Sequence, residues 1–154
     1  MKAPQLAFAF EINIMVAPGQ MQELGLTGKG VRRVIPILGG SFEGPAINGT
    51  IVPGGYDWQL LRNDGVAEID ARYLLQTNDG VLITIVNTGL RHGPEEVVQK
   101  MARGEAVDPD AYYFRTIPVF ETADARYDWL TKNIFIANGI RKPDQVTIQV
   151  WKVV

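Results

Sequence analysis

Apolar and polar positions alternate with a period of two along most of the chain, in runs cut short by glycine and proline. From Leu6 to Val16, the residues Leu6, Phe8, Phe10, Ile12, Ile14 and Val16 fall on one face, the pattern of a half-buried strand. Pro18-Gly19 ends that run, and the glycine-rich stretch 20–30 reads as a loop. Val31 to Leu38 predicts a second strand, with Val31, Arg33, Ile35 and Ile37 on one side. Pro36 within it cannot donate to a ladder and marks an edge, a bulge or a strand end. A third stretch runs from Phe42 to Val52, with Gly44-Pro45 as a bend or bulge. Pro53-Gly54-Gly55 reads as a tight turn before a strand over Tyr56 to Leu61.

Turn chemistry is clearest at Asn63-Asp64-Gly65 and Asn78-Asp79-Gly80, where the residue types tolerate positive φ. Between them, Val66 to Thr77 alternates Ala67, Ile69, Ala71, Tyr73 and Leu75 against Val66, Glu68, Asp70, Arg72 and Leu74. Val81 to Asn87 completes a hairpin, and Tyr112–Glu121, Ile134–Arg141 and Gln145–Val153 predict three further strands. Only two segments read as helical. Pro94-Glu95-Glu96 opens one that runs to Arg103 and stops at Gly104, with proline and acids where the first turn favours them. The other is a turn or two around Ala123–Lys132, capped by Thr122 or Asp124. Closure removes the unpaired edges that such a strand set would otherwise expose. The expected fold is therefore all-β and mainly antiparallel. It is a closed, up-and-down-like β-barrel of about eight to ten strands, with one short helix and one helical turn. A two-sheet sandwich is the alternative.

Composition narrows the function classes. The 154 residues suit a single domain spanning 1–154. A net charge of −2 with scattered basic residues gives no footprint for nucleic acid. The absence of cysteine excludes disulfides, thiolate metal sites and cysteine nucleophiles, and suits a cytoplasmic protein. No apolar run is long enough for a membrane-spanning helix. Neither a phosphate loop nor a Gly-x-Ser-x-Gly elbow is present, and Ser41 is the only serine. With His92 as the sole histidine, no multi-histidine metal site can form. No metal and no cofactor is expected.

Several stretches together carry a family resemblance. They are Gly39-Gly40-Ser41-Phe42-Glu43-Gly44-Pro45, Gly49 through Trp58, Asp70-Ala71-Arg72-Tyr73-Leu74-Leu75 with Asp79-Gly80, Tyr113-Phe114-Arg115, and Tyr127-Asp128-Trp129-Leu130. In this order, over nearly the whole chain, they resemble the bacterial and fungal family numbered 3237 among domains of unknown function. The resemblance implies a compact antiparallel β-barrel, often oligomeric, and no common activity. Arg91-His92-Gly93 does not match the family pattern, so His92 takes no support from it.

The candidate chemistry lies in the same stretches. Asp57 and Trp58 are adjacent, so a strand points them to opposite faces. Either the acid faces the lumen as a general base, or the indole does and Asp57 caps the turn. Glu68, Asp70 and Arg72 share a face, which is either solvated exterior or a polar network in the lumen; the apolar company of Tyr73 favours the exterior. Arg115 shares a face with Tyr113, and a guanidinium beside a phenol suits a carboxylate, enolate or phenolate; a stack on the outside of the barrel is the competing reading. Glu43 sits by a bulge signal, and His92 in a loop before the helix. One expectation is an enzyme that uses acid–base chemistry on a small oxygenated or aromatic metabolite, as an isomerase, cyclase, lyase or hydrolase. Asp57, Tyr73 and Arg115 would be catalytic, and Trp58, Tyr113, Glu43 and His92 would bind substrate. The other is a non-catalytic metabolite-binding or structural barrel. The expected partners are a small molecule and further copies of the chain, with no nucleic acid and no membrane.

Overall fold

The computed structural model describes all residues, 1–154. Nine strands form one antiparallel sheet: β1 (Leu6–Val16), β2 (Gln22–Thr27), β3 (Gly30–Glu43), β4 (Asn48–Leu61), β5 (Ala67–Thr77), β6 (Leu82–His92), β7 (Tyr113–Glu121), β8 (Phe135–Arg141) and β9 (Gln145–Val153). From β3 to β9 the chain is a meander, each strand pairing with the next. β1 then pairs with β9 on one side and with β3 on the other, and so closes an eight-stranded barrel. β2 is the extra strand. It pairs with the first half of β3, while β1 takes the second half of the same edge. One helix, α1 (Glu95–Ala102), lies between β6 and β7. No helix is long and apolar enough to cross a membrane.

The pattern of alternation sets the faces, with three instructive departures. In β1 the register shifts between Phe8 and Phe10. This bulge turns Leu6 and Phe8 outward while Ala9, Phe10, Ile12 and Ile14 are buried, so the single apolar face read from Leu6 to Val16 breaks at its start. Pro53-Gly54-Gly55 is a bulge, not a turn, and β4 runs unbroken through it. The true β3–β4 turn is at Gly44, whose N–H donates to the Ile47 carbonyl at 2.8 Å. β6 continues past Asn87 to His92, so His92 is a strand end and not a loop residue. The stretch 20–30, expected as loop, holds β2.

One end of the barrel is filled. Phe10, Phe42, Phe120 and Phe135 pack edge to face or tilted at centroid distances of 5.4–6.1 Å, a favourable arrangement for aromatic rings. A 3-10 segment, Ala125–Leu130, covers this end and inserts Trp129 against Phe10 and Phe135. Asp124 caps it by accepting from the Arg126 N–H. The β5–β6 hairpin fastens the plug: Asp79 accepts from the Tyr127 hydroxyl at 3.0 Å and pairs with Arg126 at 2.8 Å. Leu75, Ile83, Ile85 and Val150 complete this packed half.

Candidate functional site

The other half of the barrel is hollow. A cavity of about 420 Å³ is lined from β3 by Arg33 and Ile35, from β4 by Asp57, Gln59 and Leu61, and from β5 by Ile69 and Ala71. Asn87 and Arg91 of β6, Phe114 of β7 and Arg141 of β8 complete its wall. Met21, α1 through Val98 and Ala102, and the β8–β9 turn at Lys142-Pro143 form its rim. An enclosed volume with a largely apolar wall and a few convergent polar groups is the usual form of a small-molecule site.

Cross-strand register explains how the polar groups meet. Asp57 lies opposite Ala71, and Ala71 opposite Asn87. The small alanine between them brings both polar side chains to the cavity wall, Asp57 half-buried and Asn87 buried. Two lumen positions further toward the mouth, past Ile69 and Gly89, Leu61, Ala67, Arg91 and Phe114 form a parallel row. Arg91 is only 9% exposed, and its guanidinium lies over the Phe114 ring, 5.5 Å from the centroid.

Asp57 is half-buried, and its carboxylate accepts the Asp70 backbone N–H at 3.1 Å. Burial outweighs that bond and the nearby Arg91, and pushes its pKa up to about 6. Burial and the neighbouring Arg141 bring Arg91 down to about 10. Burial and Arg33 likewise lower Arg141. Arg33 differs from the other two because β2 supplies it with a partner, Glu23, at 3.1 Å. Tyr73 faces the lumen and is buried, and desolvation, helped by the charge of Asp57, holds its phenol neutral. The Tyr73 hydroxyl, Asn87 Oδ1 and Thr116 Oγ1 are buried with no hydrogen-bond partner, an uncommon cluster for a packed interior.

Of the residues singled out from sequence, Asp57 lines the cavity and Tyr73 faces the same lumen. The others are not brought together with them. Trp58 follows Asp57 and points outward, 47% exposed, beside Tyr56. Phe114 and Thr116 take the lumen positions of β7, so strand alternation places Tyr113 and Arg115 outside. There Arg115 lies over the Tyr113 ring, which stacks on His92 at 4.9 Å. This is the exterior stack, outside the cavity. Glu43 is exposed at the end of β3 nearest the filled half. The trio Glu68, Asp70 and Arg72 faces outward. Conversely, Arg91, Arg141 and Asn87 escaped the reading of the sequence. Continuing the alternation Ile83, Ile85, Asn87 through Gly89 to Arg91, or Phe135, Ala137, Gly139 to Arg141, places all three inside.

Comparison with known proteins agrees with this architecture. The model of a family described as proteins of unknown function (DUF3237) matches residues 4–153. The chain belongs to the DUF3237 family. A member from Rhodopseudomonas palustris, a UPF0311 protein, is 41% identical over 150 residues, which is 97% of this chain and 98% of the relative. A crystal structure of a conserved R. palustris protein of unknown function superposes with a TM-score of 0.94, at 38% identity and full coverage of both chains. More distantly, a hydroalkoxylation enzyme of Penicillium herquei is 29% identical over 85 residues, 55% of either chain.

Proposed function

We propose that this DUF3237 barrel is an acid–base enzyme acting on a small oxygenated or aromatic metabolite, with Asp57 as the proton-transfer group. The observation that carries the reading is Asp57 itself. It is a lumen carboxylate on the wall of an otherwise largely apolar cavity, brought by burial to about 6. A carboxyl tuned to that range is present in both protonation states near neutral pH, as general acid–base catalysis requires. Arg91 and Arg141 take the part first expected of Arg115. They supply fixed positive charge where negative charge develops on a substrate oxygen. Tyr73, kept neutral by burial, belongs to the packed core and does not line the cavity, so its expected catalytic part is not kept.

The relative from P. herquei supports this class of chemistry. Hydroalkoxylation adds an alcohol O–H across a carbon–carbon double bond: one C–O and one C–H bond form, and no proton is gained or lost overall. Protonated Asp57 would deliver the proton to carbon and recover one from the attacking hydroxyl, returning to its starting state. Additions, cyclisations and isomerisations of oxygenated alkenes share this requirement. The test is to incubate the protein in D₂O with a panel of alkenyl phenols and hydroxy-enones and to follow deuterium incorporation and product formation by NMR. Exchange or product that disappears in D57N and persists in the exterior variant R72Q supports the reading. Equal rates in wild type and D57N, or no reaction across the panel, favour a carrier instead.

A further inference from the structure

We propose that the cavity receives a substrate bearing a single carboxylate, seated between Arg91 and Arg141, with its neutral end directed at Asp57 and Asn87. This rests on taking the cavity as the substrate site, and it adds the substrate's class. Four cationic side chains line the cavity, Arg33, Arg91, Arg141 and Lys142, against one carboxylate, Asp57. Arg33 is answered by Glu23, and Lys142 is exposed on the rim. Arg91 and Arg141 are left. Neither guanidinium makes a hydrogen bond or ion pair within the chain; Arg91 has the Phe114 ring, and Arg141 is held by its backbone, paired with Val146 and donating its N–H to the Tyr112 hydroxyl. A buried arginine without an acceptor leaves a planar fork of donors unsatisfied in a poorly solvated place. The half-buried Arg141 on the same cavity wall adds a second unpaired cation, whose charge disfavours that of Arg91. Both line the one cavity, where a bound oxyanion would supply the acceptor they lack.

The charge count sets the ligand's charge. Above the pKa of Asp57, about 6, the two unpaired cations face one carboxylate and leave a net charge of +1, which a single carboxylate cancels and a phosphate dianion would exceed. The apolar wall of Ile35, Leu61, Ile69 and Phe114 suits a hydrocarbon or aromatic body. Deeper in, Asn87 presents an Oδ1 without a partner, ready to accept from a hydroxyl on that body, next to Asp57 across Ala71.

The test is calorimetric titration of the wild-type protein with 1-naphthoate, 1-naphthamide and inorganic phosphate. Naphthoate is expected to bind at least about tenfold more tightly than the amide and than phosphate. R91M and R141M are expected to abolish that preference, and, with no anion present, to melt no lower than wild type because the mutual repulsion is relieved. Should R91M fail to fold, R141M at its half-buried position carries the same comparison. D57N separates this inference from the catalytic one: it is expected to keep or tighten naphthoate binding while abolishing proton exchange. Amide binding as tight as naphthoate, phosphate binding tighter, no binding at millimolar concentration, or naphthoate binding indifferent to both arginine variants would each overturn the proposal.

Discussion

At the scale of single residues, Asp57 has the clearest thermodynamic signature. The native carboxyl keeps its proton up to about pH 6, whereas the unfolded one loses it near the ordinary 3.8. Between those values the native state binds more protons, so stability falls as pH rises from about 4 to 6 and stays lower above. Solvent reaches the half-buried side chain, which leaves an effect of about 1–2 kcal/mol. D57N is expected to raise the unfolding free energy at pH 7 by about that amount and to flatten the slope, as measured by urea denaturation across the interval. Tyr73 gives a second case. Its buried hydroxyl has no partner, so Y73F is expected to be neutral or to stabilise by up to about 1 kcal/mol in the same experiment. Asp57 was legible in the sequence because it stands in a dense polar–aromatic stretch. Arg91 was not, because the β-branched run that marks its strand stops at Asn87, five residues before the strand ends at His92.

At the scale of elements, alternation predicted the strands and failed where the backbone departs from a regular ladder. Bulges at Ala9 and at Pro53–Gly55 add residues without ending a strand, and from composition a bulge and a turn look alike, since both use glycine and proline. Hairpins with Asn-Asp-Gly were read correctly because their positive-φ glycines, Gly65 and Gly80, leave a sequence mark. The closing seam has its own glycine. Gly40 has φ +139°, and a Cβ there would meet the Asn13 carbonyl oxygen at 2.0 Å. G40A is therefore expected to separate β1 from β3 and to cost about 3 kcal/mol or more, read from denaturation midpoints. The helix holds the rim from outside the sheet. Met101 is its buried anchor, and M101A is expected to cost about 2–4 kcal/mol and to weaken naphthoate binding by loosening Val98 and Ala102.

At the scale of the whole molecule, the barrel divides its labour between two ends. The aromatic plug is the packed end, and the hollow end holds the cavity and its polar groups. F135A is accordingly expected to lose about 3–5 kcal/mol of stability with little change in naphthoate affinity, measured under conditions where the variant remains folded. The sequence pattern announced a closed barrel but not which end would be open, because that depends on where Ala125–Leu130 folds back. The central claim is that the open end holds a carboxyl tuned for proton transfer, and ¹³C NMR titration of the Asp57 side-chain carboxyl, assigned with D57N, tests it most directly. An apparent pKa of about 6 is the expected result; titration near the ordinary 3.8 would contradict the account.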